Sequence, residues 1–227
     1  MTDTRIDHHP TTDWPDLPQE LIDPAIQHAL GAGITVERWL SRDGVVVALF
    51  KHGLRYLANG EVKTLATRSH GNRAWLARGG SHLLIENGID LLRVTLPDGK
   101  ATTFPKPIPG FQLVPIDVAG DQLAARTLSG VLLLHETDDG LEITAELELV
   151  GTGPLLAACN GRLLLMPRAR ETELVAVGPG ILRSIGTLPF AVSDLRCSID
   201  RLIVREPAGL HAVFNLVTRL DEALTGS

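Results

Sequence analysis

The chain has 227 residues, 44% of them hydrophobic and 21% charged, with a formal net charge of −6. That is enough apolar material for a sizeable core, which excludes wholesale disorder. The acidic balance, with no run of Lys or Arg, lacks the electrostatic footprint that a phosphate backbone needs, so nucleic acid is not an expected partner.

Residues 1–20 are polar, carry Asp3, Asp7, Asp13 and Asp16, and hold no apolar stretch of the kind a secretory leader uses. Residues 1–18 read as a polar N-terminal arm. His8 and His9 beside Asp7 are metal-ligating residue types. No further ligand follows at a metal-binding spacing, so no metal or other cofactor is expected. Trp14 and Leu17, flanked by Pro15 and Pro18, are the arm's candidate partner-binding residues, because Trp is a frequent interface anchor. The alternative is that the arm clasps its own domain.

Residues 19–33 form a candidate closing segment. Pro24–Leu30 reads either as a strand or, with Pro18-Gln19-Glu20 as a start signal, as part of a short helix.

From residue 34 the sequence becomes repetitive. Apolar runs begin at Val45, Leu83, Leu123, Leu163 and Leu202, spaced by about 39 residues. Each is preceded by a strand-like stretch and a tight polar turn: Arg42-Asp43-Gly44, Gly79-Gly80, Gly120-Asp121, Asn160-Gly161 and Ile199-Asp200. Each is followed by a second turn and a third strand. In four copies a third turn leads to a fourth strand: Asn59-Gly60, Asp98-Gly99, Asp139-Gly140 and Pro179-Gly180. The unbroken apolar runs mark strands buried on both faces, whereas a strand with one wet face alternates.

Five copies of an antiparallel unit, four of them with a fourth strand, resemble β-propellers in general over Thr35–Val217, and the expected architecture is an all-β, five-bladed β-propeller with about four strands per blade over 34–217. An irregular β-sandwich or barrel is the competing reading. The Gly-His and Trp-Asp marks of WD40 blades and a regular kelch double-glycine pattern are missing, so no particular propeller family is recognised. The fifth copy lacks a fourth strand, since only a tail, 218–227, remains. An open edge needs cover, and the expectation is that the 19–33 segment supplies it while residues 1–16 are dispensable.

Cys159 and Cys197 fall on corresponding first strands of adjacent repeats, one position out of phase. Pleat alternation predicts that they point to opposite faces, as two thiols rather than a disulfide. With no disulfide framework and no 18-residue apolar run, a cytoplasmic protein that does not enter a membrane is expected.

No Gly-x-Ser-x-Gly, His-Glu-x-x-His or Cys-x-x-Cys motif occurs. A non-catalytic protein-binding or scaffold role, as an accessory subunit or adaptor, is therefore the expected function. The alternative is a small-molecule binder or enzyme acting in the propeller channel, which the first strand of each blade would line. Its acid/base groups would be Glu37, Asp117 and Asp194, and its ligand contacts Trp39, Trp75 and Arg196.

Overall fold

The computed structural model describes residues 6–12, 22–42, 44–58, 60–66, 74–77, 80–87, 90–96, 98–107, 116–118, 122–127, 129–149, 155–159, 161–197 and 202–225. In chain order the elements begin with β1 (His8–Thr11) and α1 (Pro24–Gly31). Four sets of four consecutive strands follow. They are β2 (Arg38–Arg42), β3 (Val45–Phe50), β4 (Gly53–Ala58) and β5 (Glu61–Ala66); then β6 (Ala74–Ala77), β7 (His82–Asn87), β8 (Asp90–Thr95) and β9 (Lys100–Pro105). Next come β10 (Ile116–Val118), β11 (Gln122–Arg126), β12 (Gly130–Thr137) and β13 (Gly140–Glu148); then β14 (Leu156–Ala158), β15 (Leu163–Pro167), β16 (Thr172–Gly178) and β17 (Ile181–Leu188). The chain closes with β18 (Asp194–Cys197), β19 (Leu202–Glu206), β20 (Gly209–Val213) and α2 (Leu216–Thr225).

The strands form five four-stranded sheets, four of which run in sequence order. The fifth has the order β1-β20-β19-β18. Each apolar run lies on the second strand of its sheet, and Val47–Leu49 and Leu163–Met166 are fully buried. Tight turns join the strands. Gly99, for example, sits at φ +75, in the left-handed region open to glycine, and a side chain there would also run into the Tyr56 hydroxyl.

The chain packs as two compact units, Met1–Pro18 with Pro115–His135 and Ile143–Ser227, and Gln19–Val114 with Glu136–Glu142. In the first unit the sheet β14–β17 is covered on both faces. Leu163 and Leu165 pack with Leu202 and Val204 of β19, while Leu164 and Met166 pack with Ala124 of β11 and with Val131 and Leu133 of β12. Alternate residues of one strand thus enter two different cores, and burying each Leu contributes about 1.5–3 kcal/mol. In the second unit Val47 and Leu49 face Leu83 and Ile85, while Val46 and Ala48 on the opposite face lie under Leu30 and Ile26 of α1.

One expectation about the ends is corrected and one left open is decided. The strand beside β20 comes from the arm, not from 19–33: His8 pairs with Val213, His9 with Ala212, Pro10 with His211 and Thr11 with Leu210. Ile6, 3% exposed, anchors the arm in the core with Leu188 and Val213, an apolar foothold that the polar surroundings concealed. Pro24–Gly31 is helical because Asp23 caps it, its Oδ1 accepting from Ala25 N at 2.8 Å, with Pro24 at the first helical position. Ile22, Ile26 and Leu30 then recur at helical spacing on the face that meets β3. The tail expected at 218–227 lies largely within α2, whose Leu216, Leu220 and Ala223 are buried against β16 and β17. Among the described residues no helix is long and apolar enough to cross a membrane.

Candidate functional site

Glu37, just ahead of β2, is exposed, and its backbone N donates to Leu49 O at 2.8 Å. Trp39, opposite Ala48 in register, is half-buried against Leu30, Val46 and Ala48, so its ring serves the packing of α1. Trp75 is half-buried on β6, opposite Leu84. These three belong to the second unit. Asp117, Asp194 and Arg196 belong to the first. The backbone of Asp117 pairs with Leu123, and its side chain lies outside the described set. Asp194 is exposed, and its Oδ1 accepts from Leu195 N at 2.8 Å. Arg196 is half-buried opposite Ile203. Trp14 and Leu17 lie outside the described residues.

The first unit holds a cluster that the sequence reading missed. His211 Nε2 lies 2.7 Å from Glu206 Oε1. A carboxylate oxygen accepts, so the ring N–H at Nε2 is the donor in this bond. His8 Nδ1 lies 3.3 Å from His211 Nδ1, and the tautomers set which ring donates. Phe190 stacks on His211 with ring centroids 4.5 Å apart and meets His8 edge-on at 5.0 Å. Burial, and then the neighbouring His211, hold the His8 pKa below the ordinary imidazole value. The result is a proton-sensitive link between β1 and β20. Its members lie about 200 residues apart in sequence, and no spacing rule joins them.

Also in the first unit, Cys159 and Cys197 face each other with sulfurs 3.4 Å apart, which corrects the expectation of opposite faces. Alternation fails because Cys159 lies just past β14 with φ at +52. The left-handed backbone turns its side chain towards the end of β18, which packs beside β14. Burial, then the hydrogen bond with Cys197, push the Cys159 thiol up to about 12.

In the second unit, Glu136 is buried and receives His82 Nδ1 at 2.6 Å and Arg93 Nη1 at 3.4 Å. Arg93 also donates to Thr137 O and Asp138 O, each at 2.7 Å. With its donors on backbone carbonyls, this arginine latches the β12–β13 turn onto β8. Glu86 and Lys106 form a second, wholly buried ion pair. A cleft of about 350 Å³ lies between Ile26, Val45, Val46, Leu57 and Leu96, with Ser81 on its lining. Among the described residues no group of three or more His, Cys, Asp or Glu side chains is placed to hold a metal ion.

No family model matches the chain, and no curated protein matches it. Solved structures do. The Neurospora crassa Pan2 WD40 domain superposes with a TM-score of 0.59 at 15% identity, covering 80% of this chain and 62% of that one. A protein from Lactobacillus plantarum gives 0.51 at 13% identity, over 78% and 68% of the two chains. The computationally designed Ika8 protein gives 0.51 at 14%, over 78% and 57%. The chain thus spans under two thirds of the length of the Pan2 domain. At these identities the likeness concerns the fold: all-β, built of four-stranded sheets, with propeller neighbours.

Proposed function

We propose that the five sheets are the blades of a closed five-bladed β-propeller, with every blade strand but β1 within 34–217, and that it acts in the cytoplasm as a protein-binding scaffold, an accessory subunit or adaptor. One observation carries this reading. Phe214 and Val217, beside β1 and at the start of α2, are 42% and 58% exposed, and large apolar side chains left in water three residues apart in sequence favour a protein partner. His9 of β1 touches the Phe214 ring, with centroids 5.5 Å apart. Trp14 and Leu17 follow β1 directly in sequence, and we assign them to the same contact. The Pan2 neighbour, a WD40 domain, fits a propeller used as a binding platform.

The test compares co-purified proteins, quantified by mass spectrometry, for the wild type, a Phe214→Ser/Val217→Ser variant and an Asp117→Asn/Asp194→Asn variant. A partner held by the wild type and the Asn variant, and lost at least tenfold from the Ser variant, is expected. Retention by the Ser variant, or biological activity that collapses only in the Asn variant, would overturn the scaffold reading. The second outcome would favour the alternative reading, a small-molecule binder or enzyme that uses Asp117 and Asp194 as acid/base groups.

A further inference from the structure

We propose that Cys159 and Cys197 are a redox pair, and that a small-molecule disulfide such as oxidised glutathione converts them to an intramolecular disulfide that clamps the sheet β14–β17 to the sheet of β18–β20 and β1. Both side chains are half-buried, with the sulfurs 3.4 Å apart and already in hydrogen-bond contact. They sit at the ends of two strands that pack side by side. Bond formation therefore requires an approach of little more than 1 Å, against a normal S–S length of about 2.05 Å. The left-handed backbone of Cys159 is a second, independent observation. A non-glycine residue at φ +52 is an uncommon conformation that surrounding structure must impose, and here it aims the sulfur at its partner.

The chemistry balances without a metal. One cysteine, as thiolate, attacks the glutathione disulfide, forming a mixed disulfide and releasing one glutathione. The other cysteine then displaces the second glutathione. The pair loses two electrons and two protons, and the oxidant leaves as two reduced glutathiones. Because the attacking species is the thiolate, the high pKa of Cys159 makes closure slow near neutrality and faster as pH rises. The pair thus responds to sustained oxidation rather than to brief pulses.

The closed loop holds the 37 residues between the two cysteines, long enough for the cross-link to remove considerable freedom from the unfolded chain. The full chain would be incubated with a glutathione redox buffer at several pH values, quenched with acid, and mapped by non-reducing peptide mass spectrometry beside Cys197→Ser. The expected result is a peptide linking Cys159 to Cys197, formed faster at higher pH, reversed by dithiothreitol, and accompanied by a Tm higher by roughly 5–15 °C. Cys197→Ser should show neither link nor shift. Stable glutathione adducts without a link, a link between two chains, or a linked protein with an unchanged or lower Tm would each overturn the proposal.

Discussion

Single side chains in this protein carry more strain and charge than the repeat pattern discloses. The Glu86–Lys106 pair is the sharpest case, because both side chains are below 5% exposed. Glu86→Ala removes an ion pair from a buried lysine and should lower stability by about 3–5 kcal/mol in a urea titration, while replacing both by apolar residues of similar volume should cost far less. His8 gives a pH dependence of definite sign. Its folded pKa is depressed, so below about 6.5 the unfolded chain binds the proton more readily and stability falls as pH drops. The groups facing it are His211, Glu206, His9 and Asp7. Amide exchange at Ala212 and Val213, beside β1, should therefore speed up on going from pH 7.5 to about 5.5, and a His8→Gln variant should flatten that dependence.

At the level of elements the reading of the sequence was accurate wherever local chemistry decides. Gly60, Gly99, Gly140 and Gly180 stand between paired strands with positive φ, a backbone requirement that sequence displays directly. The ends were misread because pairing at a distance decides them. His8–Thr11 has poor strand propensity, and only β20, a complete sheet edge, makes it a strand. Pro24–Leu30 reads equally as strand and helix, and Asp23 with Pro24 tips it to helix. The same limit hid the His8–His211–Glu206 cluster and the facing thiols, which depend on tertiary placement and on one positive φ. Deleting residues 1–5 should leave the melting temperature unchanged. Deleting 1–12 should lower it by several degrees and promote aggregation, since it uncovers the edge of β20 and removes the buried Ile6. Equal melting curves for the two truncations would show that β1 is dispensable.

For the molecule as a whole, the decisive trait is that second strands are covered on both sides. Leu163 and Leu164 are adjacent, point to opposite faces and enter different cores. A sheet with one wet face would tolerate one of the two truncations. Here Leu163→Ala and Leu164→Ala should each cost about 2–5 kcal/mol by chemical denaturation. The apolar runs made this legible, because strands covered on both sides lose the alternation of a half-exposed sheet.

The pairing of β1 with β20 has a consequence for biosynthesis. At about 5–20 residues per second, His8–Thr11 leaves the ribosome roughly 10–40 s before Gly209–Val213 exists to receive it. Throughout that interval the nascent chain holds an apolar anchor at Ile6 with no partner strand. Completion of this sheet therefore waits until β20 has been synthesised. A chain stalled before β20 would retain an exposed N-terminal segment for chaperones and proteases to engage.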